Sequence, residues 1–177
     1  MKITSFKDIP QFTKEGNYQV EISIARIPDW IATEREEMGL QLNPVFQRGH
    51  VWSEEQQISW LEFFLKGGKS GDTVYLNCPS WHHSVNNGEY NEYVCVDGLQ
   101  RLTAICRFIN NEIKVFGSYF KEYDNLIFCN KYRLKINVND LKTEKEVLQW
   151  YIDMNSGGTP HTREEIDKVK KMLKEIR

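Results

Sequence analysis

Between Val94 and Phe108 the chain reads VCVDGLQRLTAICRF. Its start is an apolar run of strand type. From Leu102 onward the apolar residues Leu102, Ile105, Cys106 and Ile109 recur at helical spacing. Only Asp97 and Gly98 separate the two patterns, so a strand has to hand over to a helix almost at once. An acid, a glycine, an amide (Gln100) and a guanidinium (Arg101) then all stand at that junction.

The other periodic stretches fit the same kind of architecture. YQVEISI (18–24) turns Val20, Ile22 and Ile24 to one face and reads as a strand; TVYLN (73–77) reads as another. KYRLKINV (131–138) alternates with Tyr132, Leu134, Ile136 and Val138 on one side. IPDWIATEREE (27–37) starts a helix with Pro28 in its first turn. Ser53 and Gln56 form a capping box for SEEQQISWLEFFLKGG, which buries Ile58, Leu61, Phe64 and Leu65 and stops at Gly67. Thr143 and Glu146 cap TEKEVLQWYIDMN. Thr162 and Glu165 cap a last helix with the stripe Ile166, Val169, Met172, Leu173 and Ile176. Strands and helices alternate without a regular βαβ rhythm, so we expect one compact α+β domain over residues 1–177, a small mixed sheet with helices packed around it.

Composition narrows the function classes. No apolar run approaches the roughly 18–20 residues of a membrane span, and the N-terminus lacks an apolar secretory segment; a cytosolic protein is expected, with no membrane partner. The net charge of −2 argues against a polybasic protein that coats DNA, while leaving room for a local basic pocket. The cysteines at 78, 95, 106 and 129 show no Cys-x-x-Cys spacing. They read as reduced, structural residues. Cys78, His82 and His83 lie in a loop, where two adjacent histidines rarely both reach one ion.

Three polar junctions remain once the core residues are accounted for. In VDGLQR the start of a helix offers unpaired N–H groups and a partial positive charge, which suits a phosphate. Gly98 would allow close approach, Arg101 would present a planar cationic fork, and Gln100 would orient a water. Asp97 would hold Mg²⁺, act as a general base or grip a sugar hydroxyl; alternatively it is merely the helix N-cap, with Gln100 and Arg101 on a solvated face. NPVFQRGHVW (43–52) puts Gln47 and Arg48 before Trp52, a pairing that suits a phosphate and a base, or else is a surface loop anchored by Val45, Phe46 and Trp52. NSGGTP (155–160) is either a nest of free backbone amides for an anion or a turn between two helices.

In this order the three segments resemble the signature of one family, the domain of unknown function that forms the N-terminal, nucleotide-handling half of GmrSD-type modification-dependent restriction enzymes, within the ParB/sulfiredoxin-like superfamily. The matching blocks are PVFQRGHVW at 44–52, VDGLQRLTAI at 96–105 and MNSGGTPHTREEI at 154–166. The resemblance implies a nucleotide or phosphodiester pocket shared by Gln47 and Arg48, by Asp97, Gly98, Gln100 and Arg101, and by Asn155, Ser156, Gly157, Gly158 and Thr159. It further implies NTP hydrolysis. Asp97 would then position Mg²⁺ or water, Gln100 the nucleophile, and Arg48 with Arg101 would stabilise charge on the phosphoryl group. The sequence departs from the family pattern at Leu99, where a glutamine is usual, and at His161, where an aliphatic residue is usual. No nuclease pattern of the HNH kind occurs in the 177 residues. The expected ligand is a nucleoside triphosphate. The other readings are a DNA-binding or DNA-nicking domain using the same pocket, and a non-catalytic domain that engages a protein partner in phage–host defence.

Overall fold

A computed structural model describes residues 3–5, 9, 18–47, 49–81, 90–155 and 163–175. Strands β1 (Tyr18–Ser23), β2 (Thr73–Asn77), β3 (Val94–Asp97) and β4 (Arg133–Asn139) make one mixed sheet in the order β1-β4-β2-β3. The β1–β4 and β2–β3 pairs are antiparallel, and β2 runs parallel to β4. Helices α1 (Ile27–Met38), α2 (Glu54–Leu65), α3 (Leu99–Ile109), α4 (Glu144–Asn155) and α5 (Arg163–Glu175) complete an α+β fold.

The sheet separates two apolar clusters. In the first, Leu134, Ile136 and Val138 of β4 and Val74 and Leu76 of β2 pack under Ile27 and Ile31 of α1, Leu61 and Phe64 of α2, and Leu102, Ile105 and Phe108 of α3. In the second, α4 supplies Val147, Leu148, Trp150, Tyr151 and Ile152 and α5 supplies Val169, against Val94 and Val96 of β3. Cys95 belongs to the first cluster. β3 is therefore buried on both faces, and its unbroken apolar run Val94–Cys95–Val96 reflects that. The consequence for function is positional: the end of β3 lies between α3 on one side of the sheet and α4 on the other.

Helix starts follow the sequence signals. Ser53 Oγ accepts from the Gln56 N–H at 3.3 Å while Gln56 Oε1 accepts from the Ser53 N–H at 2.9 Å. Thr143 and Glu146 make the same reciprocal pair at 3.2 Å in each direction. Val169 is buried on α5, with Met172 and Leu173 packed against the same cluster. Thr162 and Ile176 lie outside the described residues, as do the side chains of Ile166 and Glu165.

The N-cap of α3 is a correction. Gly98, with φ +128°, occupies that position and no side chain caps it. Asp97 is still in the strand, paired with Tyr75. Its carboxylate is drawn to Arg101, four residues on, instead of to the N–H groups of the helix. Residues 110–131, which show no regular pattern, form a tight turn closed by the Val115–Ser118 bridge and two 3-10 turns at Phe120–Glu122 and Leu126–Lys131.

The cysteines are free thiols. Burial pushes Cys95 up to about 12 and Cys106 up to about 11, so both are protonated, unreactive apolar residues at neutral pH. Among the described residues no helix is long and apolar enough to cross a membrane.

Candidate functional site

Where β3 passes into α3 the surface opens into a cleft of about 380 Å³. Its wall takes Gln47 and Trp52 from the 43–52 segment, Val96 to Arg101 from the strand–helix junction, and Tyr151, Met154 and Asn155 from the end of α4. Trp60 of α2 and Ser70 and Gly71 of the following loop close the side. Segments some fifty residues apart along the chain thus meet in one place.

Two glutamines bring them together. The Gln47 Nε2 donates to the carbonyls of Cys95 at 3.0 Å and Val96 at 2.9 Å, covering backbone acceptors of β3, the strand at the end of the sheet order. Gln100 grips the same segment further along. Its Nε2 donates to Gly49 O at 2.7 Å, and its Oε1 accepts from the N–H groups of Val51 at 3.0 Å and Trp52 at 3.1 Å. The Gln100 amide is engaged at both ends by protein backbone. It holds Trp52 against the cleft, with its oxygen shared between two backbone N–H groups.

Asp97 and Arg101 stand one helical turn apart on the cleft wall. Their side chains form a charge-assisted hydrogen bond from Arg101 Nη2 to Asp97 Oδ2. The Arg101 side chain is 13% exposed and that of Asp97 39%, so the guanidinium is the more enclosed partner. Gly98 between them has a packing reason to be glycine. A Cβ there would lie 2.6 Å from Val74 Cγ2 and 2.8 Å from its Cγ1. Leu99 is 8% exposed and belongs to the first apolar cluster, where a glutamine would bury an amide unless it turned to the cleft.

Residues 29–133 match the family described as GmrSD restriction endonuclease, N-terminal domain. That stretch is more than half of the chain and carries both the 43–52 segment and the β3–α3 junction. The protein belongs to this family. No curated protein and no solved structure matches it.

For this GmrSD-type N-terminal domain, the third block falls beyond the matched stretch. Asn155 borders the cleft, and its Nδ2 donates to the Tyr151 carbonyl at 2.7 Å, closing the last turn of α4. Arg48, Ser156, Gly157, Gly158, Thr159 and His161 lie outside the described residues. Among the described residues no group of three or more His, Cys, Asp or Glu side chains could hold a metal ion. Asp97 is the one carboxylate on the described cleft wall.

Sequence reasoning did not place Trp60, Gly71 or Tyr151 at the site. Tyr151 lies on a helix whose apolar residues read as core, and it is indeed 2% exposed. Trp60 sits four residues before Phe64, with which it stacks at a centroid distance of 5.4 Å; that spacing was a visible signal of its face. Gly71 lies in KGGKSGD (66–72), a glycine-rich run whose composition reads only as a turn.

Proposed function

We propose that this GmrSD-type domain binds a nucleoside triphosphate in the cleft and hydrolyses it, in the setting of restriction to which its family belongs. The observation that carries the reading is the Asp97–Arg101 pair at the start of α3, on the wall of a cleft whose other sides include Trp52, Trp60 and Tyr151. A guanidinium beside a helix N-terminus suits phosphate oxygens, and aromatic rings suit a base.

Arg101 binds the phosphates and stabilises charge that builds up on the transferring group. Gln47 and Gln100 are positioning residues, fastening the segment that carries Arg48 and Trp52 onto β3 and α3. Arg48 follows Gln47 directly in the chain and is assigned to the phosphates. Ser156 to Thr159 follow Asn155 directly in the chain and are assigned to the same anion.

Asp97 alone makes a poor metal site, but it fits Mg²⁺ that arrives with a nucleotide, since that ion is commonly held by one or two carboxylates together with substrate phosphates. Mg²⁺ bound there would supply neutralisation of phosphate charge. Asp97 would exchange its hold on Arg101 for one on the metal, leaving the guanidinium for the phosphates.

The test is equilibrium binding of each of the four nucleoside triphosphates with Mg²⁺. Removing a charge-assisted contact costs about 1.5–3 kcal/mol, so Arg101→Ala should bind at least roughly tenfold more weakly than wild type. Unchanged affinity in that variant sinks the reading.

A second reading, DNA binding, is favoured by one further feature. A groove beyond the 67–71 loop is lined by Lys66, Lys69, Lys131, Arg133 and Lys135, against Glu21 and Asp72. This is a local excess of cations in a chain of net charge −2. Affinity for a DNA duplex that falls steeply with salt and drops on Lys131→Glu would support it. No duplex binding at low salt would remove it.

A further inference from the structure

One strong donor at the cleft has no acceptor among the described residues. The Trp60 Nε1 is buried and has no hydrogen-bond partner among the described residues. An indole N–H can only donate, and a buried one nearly always finds an acceptor. The ring is fixed in place by stacking on Phe64, at an interplanar angle of 25°, and by a tilted contact with Trp52 at 6.0 Å. It cannot readily turn its N–H elsewhere.

The surroundings say what acceptor is missing. A Cβ added at Gly71 would lie 3.4 Å from Trp60 Nε1 and 3.2 Å from Arg101 Nη1. An indole donor and a guanidinium donor therefore lie close together beside Gly71. Gly71 itself has φ +73°, a conformation that glycine adopts without penalty, and a side chain there would crowd both donors. Two neighbouring donors, one permanently cationic and the other without an acceptor among the described residues, suit an anionic oxygen.

We propose that Trp60 is a ligand-binding residue: its indole N–H donates to a phosphate oxygen that Arg101 holds at the same time, beside Gly71. This rests on the nucleotide reading of the cleft and adds to it a residue on α2 outside the three polar junctions. It also assigns Trp60 to the phosphates and not to the base.

The variant that isolates the donor is Trp60→Phe, which keeps an aromatic ring against Phe64 and removes only the N–H and the second ring. Affinity is measured with nucleoside triphosphates and with inorganic triphosphate, each with Mg²⁺, alongside the melting temperature. The expected result is binding about tenfold weaker or worse for both probes, the size of one lost hydrogen bond to a charged group. A purely structural role would lower the melting temperature and leave affinity alone. Wild type that binds while Trp60→Phe binds equally well overturns the Trp60 assignment and leaves the nucleotide reading standing. Wild type that binds neither probe overturns both. Should the variant not fold, the wild-type indole N–H resonances decide: one must move downfield as inorganic triphosphate is added, and five unmoved indole signals would overturn the proposal.

Discussion

Replacing Gly98 by alanine separates packing from ligand approach as the reason for glycine at the β3–α3 junction. The new Cβ would meet Val74 Cγ2 at 2.6 Å, Cγ1 at 2.8 Å and Cβ at 3.0 Å, on a backbone with φ +128°. Val74 is fully buried in the first cluster, so it cannot swing away. Overpacking of this kind costs about 1–3 kcal/mol, and a left-handed backbone on a residue with a Cβ costs about 1–3 kcal/mol more. Gly98→Ala should therefore lose about 2–6 kcal/mol in urea unfolding followed by circular dichroism. Val74→Ala removes the two methyl groups in the way, at its own cost of about 1–3 kcal/mol. The double variant should then be more stable than the sum of the two losses by about 1–2 kcal/mol, because the clash with Cγ1 and Cγ2 is gone while the backbone strain remains. Additivity within about 0.5 kcal/mol, or near wild-type stability of Gly98→Ala coupled to lost nucleotide affinity, would refute this reasoning and return Gly98 to the role of admitting a phosphate.

Other outcomes follow from the same contacts. Gln100→Leu removes three hydrogen bonds to residues 49–52 and should destabilise by about 1–3 kcal/mol while raising hydrogen exchange in that segment; unchanged exchange would contradict the fastening role. Burial raises the Glu34 carboxyl above its ordinary value, so the folded state holds the Glu34 proton more tightly than the unfolded state and loses stability as pH rises through the raised value. Glu34→Gln should accordingly be more stable than wild type at pH 7, with the gap closing as pH falls through the carboxylate range; a gap that widens toward acid would show the sign to be wrong. Cys95 and Cys106, with thiols raised to about 12 and about 11, should resist alkylation at pH 8 until the chain is unfolded, as read by mass spectrometry.

Much of the fold was legible because it rests on local rules. Alternation in 131–138, helical spacing from Leu102 onward and the reciprocal caps at Ser53 and Thr143 each involve residues within a few positions of one another. The site was legible as a set of segments but not as a set of roles. An amide side chain at such a junction reads equally well as a ligand for a phosphate or as a fastener, and only the tertiary structure shows Gln47 and Gln100 bonded to backbone 48 to 51 residues away. The alternative that makes Asp97 the cap of α3 fails for a related reason. Asp97 is favoured at N-caps by type, but its place in the β2–β3 ladder and the pull of Arg101 are not local properties. Trp60 shows the same limit, since its role depends on Gly71 and Arg101, which approach it only in the folded chain.

The most direct test of the central claim is phosphate release from ATP, GTP, CTP and UTP with Mg²⁺, comparing wild type with Asp97→Ala. The account predicts release by the wild type that vanishes in the variant, because Asp97 is the one carboxylate on the described cleft wall. Release that persists undiminished in Asp97→Ala, or none from any of the four nucleotides with the wild type, would contradict it.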